Sequence, residues 1–154
     1  MQKKVWANAV WLLFHTLAEK IKPEHAAPSE LGVLFEHFTS ICNNLPCPEC
    51  QTHAMQVMVR ANKNLVCASR ENLQMFMWQF HNTVNARVKL PQFSRAALEE
   101  RYKTAHTPAV VRNFIRIMSA TSNNEKTMMH AFHRHLYLKR FTEYMRLNHQ
   151  KFAV

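Results

Sequence analysis

The chain has 154 residues, 47% of them apolar and 19% charged, which suits one compact domain with its own core and excludes both a large multidomain enzyme and a disordered chain. It holds one glycine, Gly32, and no aspartate, so glycine-rich phosphate cradles, tight hairpin turns and paired-aspartate metal sites are excluded, and a largely helical backbone is expected. The formal charge of +10 is uneven: residues 101–154 carry ten cations against Glu125 and Glu143 alone, which gives either a solvated basic face or a surface for an acidic partner, a membrane or a nucleic acid.

Trp6, Val10, Leu13, Phe14 and Leu17 recur at helical spacing and predict a first helix over about residues 5–20. Lys3 and Lys4 before this stretch imitate a secretory leader, but Asn8 and His15 interrupt it and no small-residue cleavage site follows. The reading is therefore a mature helix with no signal peptide, no transmembrane segment and a cytosolic location. Ser29 is the expected N-cap of a second helix carrying Leu31, Leu34, Phe35 and Phe38, which ends at Asn43, Asn44 and Pro46. A third helix starts near Cys47, runs through Met55, Met58 and Val59, and closes at Asn62–Asn64. Ser69 caps a long fourth helix with Leu73, Phe76, Met77, Phe80, Val84 and Val88, and Ser94 caps a short fifth reaching Tyr102. Beyond His106, Val110 to Met118 form another helix, Thr121–Asn124 a linker, and Lys126–Gln150 a basic helix with Met129, Phe132, Leu136, Phe141, Tyr144 and Met145 on one side. The expected organisation is a four-helix bundle with a short fifth helix over 1–104 and a basic helical extension over 105–154.

The strongest chemical signal is Cys47-Pro48-Glu49-Cys50, a C-x-x-C at a helix start, where the dipole and unpaired amides favour a thiolate. Two readings compete for it. Cys42, Cys47, Cys50 and His53 could hold zinc, which with the basic tail describes a nucleic-acid-binding module; against this, Cys42 ends one helix, His53 lies well into the next, and no glycine tightens the turn. A thioredoxin fold needs strands that the chain does not show. Two further patterns favour redox chemistry: Trp11 and His15 share a face of the first helix, and His81 and Asn85 share one of the fourth, with Arg87 following. Rings to stack, amides to bind an edge and a cation for phosphates are what a dinucleotide requires where glycine loops are lacking.

Trp6, Trp11, His15 and Thr16 as W-x(4)-W-x(3)-H-T, LPCPECQTHA over 45–54 and FHNTVNARV over 80–88 together resemble the Erv/ALR family of FAD-linked sulfhydryl oxidases, most closely its branch in large cytoplasmic DNA viruses. The resemblance spans about residues 6–104. It implies an all-α bundle with FAD in its mouth, and a Cys47/Cys50 pair that oxidises partner thiols and passes electrons through FAD to O2, yielding H2O2. Cys50 would be the proximal cysteine with a lowered pKa, and Cys47 the distal one that substrate meets. Trp11, His15, His53, His81, Asn82, Asn85, Arg87, Lys89 and Tyr102 would contact the cofactor, and no metal is implied. Three departures stand out: Ala7-Asn8 replaces a frequent Gly-Arg, Cys67 has no later cysteine to pair with, and no second C-x-x-C serves as a shuttle. The implied partner is therefore a separate thioredoxin-like or small dithiol protein, the implied assembly a homodimer, and the implied setting the host cytoplasm or virion.

Overall fold

The computed structural model describes residues 2–122 and 128–154. Among these residues the chain forms eight α-helices: α1 (Lys3–Lys20), α2 (Pro28–Cys42), α3 (Pro48–Arg60), α4 (Lys63–Val66), α5 (Arg70–Arg87), α6 (Arg95–Lys103), α7 (Thr107–Ser122) and α8 (Met128–Asn148). Local chemistry sets most boundaries. The side chains of Asn62, Ser69 and Ser94 accept the Leu65, Asn72 and Ala97 amides at the starts of α4, α5 and α6, each taking one of the donors that a helix start leaves unpaired. Two expectations are corrected. α2 begins at Pro28 with Ala27 as N-cap, because proline's fixed φ preorganises the first helical position and places Ser29 inside the helix. Asn62 does not simply end α3; it caps the extra turn α4.

α1 lies at the centre, against α5 and α6 on one side and α7 on the other, while α2 packs on α3 and α8. α1 and α5 run antiparallel, as the bonds from Gln74 Nε2 to the Ala18 carbonyl (3.1 Å) and from Arg70 Nη1 to the Ile21 carbonyl (3.0 Å) record. Leu13, Phe14, Leu17, Phe38, Ile41, Leu73 and Met77 are fully buried here, each contributing about 1.5–3 kcal/mol of burial.

The extension is built into the same core. Phe114 of α7 and Phe141 of α8 meet edge to face at 5.4 Å, both fully buried, and Val110, Met118, Tyr137, Leu138 and Met145 continue the cluster. The buried stripe of α8 is thus 134, 137, 138, 141 and 145. Met129 and Phe132, expected on the apolar side with Phe141, are 70% and 62% exposed, since they sit on nearly the opposite side of the helix from that stripe. The expected linker and the start of the basic helix at Lys126 fall partly outside the described residues. The C-terminus clips onto the end of α1: the Lys22 amide donates to the Lys151 carbonyl (2.8 Å), the Ala153 amide donates to the Lys20 carbonyl (2.7 Å), and Ile21 and Phe152 form an antiparallel bridge. Among the described residues, no helix is long and apolar enough to cross a membrane.

Candidate active site

Pro46 and Pro48 cannot donate backbone hydrogen bonds, so the turn into α3 depends on other groups. Cys47 is the N-cap, with φ −120° and ψ 116°, and its Sγ accepts the Cys50 amide at 3.2 Å. Gln51 adds two ties, its amide to the Cys47 carbonyl (2.9 Å) and its side-chain Nε2 to the Leu45 carbonyl (2.8 Å). Both cysteines are half-buried and free, one sulfur capping the helix and the other one turn inside. The expected lowering of the Cys50 pKa is corrected. Burial pushes its thiol up to about 11, the neighbouring Cys47 thiol adds to this, and the Lys3 ammonium from the first turn of α1 opposes it. The unpaired amide of the helix start goes to the Cys47 sulfur instead.

Deeper in the bundle, α1 and α5 share a seam of rings. Trp11 lies parallel to His81 (centroids 4.0 Å apart, 6° between planes), and the His15 and His81 rings are joined by a 2.8 Å bond between Nε2 and Nδ1. Tyr102 of α6 stacks on the far side of His15 at 4.8 Å, and Phe93 leans on His81 at 5.1 Å. Burial lowers the His15 pKa to about 3, with the nearby His81 and Arg101 charges adding, and burial with Arg101 lowers His81 to about 4. Both imidazoles are therefore neutral at pH 7, one donating and the other accepting. Thr16 Oγ1, next to His15 in sequence, is buried with no hydrogen-bond partner among the described residues.

Asn82 and Asn85 spend their amides on the loop after α5. Asn82 donates to and accepts from the Phe93 backbone at 2.9 Å, and Asn85 Nδ2 donates to the Pro91 carbonyl at 3.1 Å. Lys89 starts that loop in the left-handed region, φ 61°. Arg87 hydrogen-bonds His53, linking α5 to α3 beside a groove of about 210 Å³ that Arg60, Val57, Thr83 and Val84 also line. The chain thus brings together Trp11, His15, His81 and Tyr102 in one seam and His53 with Arg87 in an adjoining groove. Lys3 and Trp11 are eight residues apart on α1, a rise of about 12 Å, which sets the scale separating the cysteine turn from the seam. Among the described residues, no three His, Cys, Asp or Glu side chains converge as a metal site, so Cys42, Cys47, Cys50 and His53 do not form the zinc centre their spacing allowed.

Sequence reasoning missed Lys3, Gln51, Phe93, Arg101 and Arg134. Arg134 alone had a signal, as the single cation on the stripe Tyr137, Leu138, Phe141 and Met145.

A helical bundle with a dithiol at a helix start and buried rings beside a cationic groove defines a thiol-redox protein of all-α type. Residues 8–103 match the model of the Erv1/Alr family, and the chain belongs to it. It is 37% identical over 100 residues to a protein of Invertebrate iridescent virus 3 named as an FAD-linked sulfhydryl oxidase, covering 65% of this chain and 67% of that one. A fowlpox virus protein of similar name is 27% identical over 62 residues (40% of this chain, 60% of that protein), and one from Invertebrate iridescent virus 6 is 23% identical over 104 residues (64% and 93%).

Proposed function

We infer that the chain is an FAD-linked sulfhydryl oxidase, a thiol oxidase that makes disulfides in a dithiol partner. The observation that carries this reading is the cysteine turn itself: both cysteines are half-buried, Cys47 Sγ caps α3 and Cys50 lies one turn inside. In the oxidised pair, a partner thiolate attacks Cys47 Sγ, the Cys47–Cys50 bond breaks, and Cys50 leaves as a thiolate. The partner's second thiolate then attacks the mixed disulfide. The partner leaves as a disulfide, and the Cys47/Cys50 pair holds the two electrons.

The residues present fit FAD. Its ring systems need planar faces and uncharged hydrogen-bonding edges, which Trp11, Tyr102 and the neutral imidazoles of His15 and His81 supply; its diphosphate needs cations, which Arg87, Lys89 and the groove beside His53 supply. When bound, FAD supplies the two-electron acceptor for the dithiol, and O2 the terminal one, giving H2O2. Asn82 and Asn85 serve the same site by fixing the loop through Phe93, whose ring backs His81. Lys3 favours the Cys50 thiolate against the burial that disfavours it.

Residues 1–104 carry this chemistry, and 105–154 brace it. The substrate is a separate thioredoxin-like or small dithiol protein that meets Cys47 directly, because Cys42 and Cys67 are buried and offer no shuttle pair. The working form is a homodimer in the cytoplasm of an infected host cell. The test is a visible spectrum of the purified chain together with oxygen uptake on dithiothreitol. Flavin absorbance and peroxide production are expected; a colourless protein that neither binds added FAD nor consumes oxygen overturns the reading.

A further inference from the structure

The segment entering the cysteine turn is Leu45-Pro46-Cys47-Pro48, and its two prolines remove amides that could pin it to the bundle. Two side chains restrain it at one carbonyl. The Leu45 oxygen accepts from Gln51 Nε2 at 2.8 Å and from Arg134 Nη2 at 3.0 Å. Gln51 is local, but Arg134 reaches in from α8, 89 residues away and outside the span that matches the family. Its side chain is 7% exposed on a stripe otherwise made of Tyr137, Leu138, Phe141 and Met145. An apolar residue would pack there with no charge to desolvate, and the bond to the Leu45 carbonyl offsets part of that cost for the guanidinium.

We propose that Arg134 is a positioning residue for the Cys47/Cys50 pair, its guanidinium holding the Leu45 carbonyl so that Cys47 stays over the first turn of α3 within bonding reach of Cys50. This rests on the oxidase reading above and gives the extension a part in the chemistry. Without Arg134 the Leu45 carbonyl keeps only the Gln51 bond, so the Leu45–Pro46 segment, and with it the Cys47 sulfur, is held less firmly against the Cys50 amide. The stability of a disulfide follows the effective concentration of one thiol at the other, and a fixed entry segment raises it.

The equilibrium of the full chain with glutathione, measured with oxygen excluded, reads this with or without flavin. Oxidised glutathione takes two electrons and two protons from the dithiol, leaving the Cys47–Cys50 disulfide and two molecules of reduced glutathione. Arg134→Met should lower the equilibrium constant for disulfide formation about tenfold, equivalent to about 30 mV. Arg134→Lys keeps the charge but on a shorter, more flexible ammonium in place of the planar guanidinium, and should lower it about threefold. Leu138→Ala, which removes a core side chain one turn further along α8, is the structural control: it should lower the melting temperature and leave the constant within about twofold of the parent. Because Arg134 and Gln51 share one acceptor, Arg134→Met and Gln51→Leu should be non-additive. A parental constant in Arg134→Met overturns the proposal, as does an equal shift in Leu138→Ala, which would mark general loosening of α8. Should Arg134→Met not accumulate folded, a parental constant in Arg134→Lys overturns it equally. A parent chain without flavin or turnover would sink the oxidase reading alone, since the glutathione equilibrium would still decide the role of Arg134.

Discussion

Cys47 and Cys50 open a helix, whereas Cys42 and Cys67 close two others, Cys42 as the last residue of α2 and Cys67 as the C-cap of α4. At the opening, the Cys47 sulfur takes an amide hydrogen and sits half-exposed at the positive end of the dipole. At the closings, both sulfurs are buried in the core, and burial alone pushes the Cys42 thiol well above its ordinary range; burial also raises Cys67, against the pull of Lys63. The same side chain thus meets a different environment according to which helix end holds it and how much water reaches it. The α3 opening has its own internal asymmetry: the Cys47 sulfur takes the amide of the helix start, and the Cys50 thiol is pushed up by burial.

The largest test of that contrast is substitution of each cysteine in turn. Cys47→Ser and Cys50→Ser should each lower dithiothreitol oxidation about a thousandfold or more, while Cys42→Ser and Cys67→Ser stay within about twofold, measured as oxygen uptake per mole of flavin. Equal losses at all four positions would break the distinction. Next comes the ring seam, where the same burial acts on imidazoles. His81→Ala leaves a hole beside Trp11 and strands His15 without its partner, and should cost about 2–4 kcal/mol in a denaturant melt while lowering the flavin retained on purification.

Acid offers a third measurement. His15 and His81 have folded pKa values of about 3 and about 4, below the 6.5 of an unfolded histidine. Between those values the unfolded chain binds protons that the folded one refuses, so stability is full above about pH 6.5 and falls as pH drops through the window toward 4. The slope approaches roughly 1 kcal/mol per pH unit for each histidine, and His81→Phe should flatten it. A melting temperature independent of pH from 7 to 5 would contradict the burial argument. The smallest effect is at Lys3: replacing it with Met removes the charge that opposes burial at Cys50, so iodoacetamide should alkylate Cys50 about two- to threefold more slowly at a fixed pH below its pKa.

Much of this was legible in residues whose roles are local. Ser69, Ser94 and the proline-flanked Cys47 mark helix starts because a cap needs only its own side chain and an amide three residues on. Trp11 with His15 and His81 with Asn85 were legible as shared faces because helical spacing fixes them. What Asn85 does there was not legible: its amide goes to the Pro91 carbonyl, a partner set by the path of the loop. The buried face of α8 was misread because apolar residues occur on several of its sides, and only its packing on α2 and α7 selects Tyr137, Leu138 and Phe141 over Met129 and Phe132.

By itself the sequence determined the helical class, the C-x-x-C at a helix start and the ring and imidazole positions, because each follows from composition or from contacts within a turn of chain. Only the tertiary structure decided that the extension is part of the core, that Lys3 faces Cys50, that Cys50 is pushed up rather than down, and that Arg134 reaches the Leu45 carbonyl. Those outcomes depend on how far each group is taken out of water and on which distant segment arrives beside it, and neither is a property of spacing along the chain.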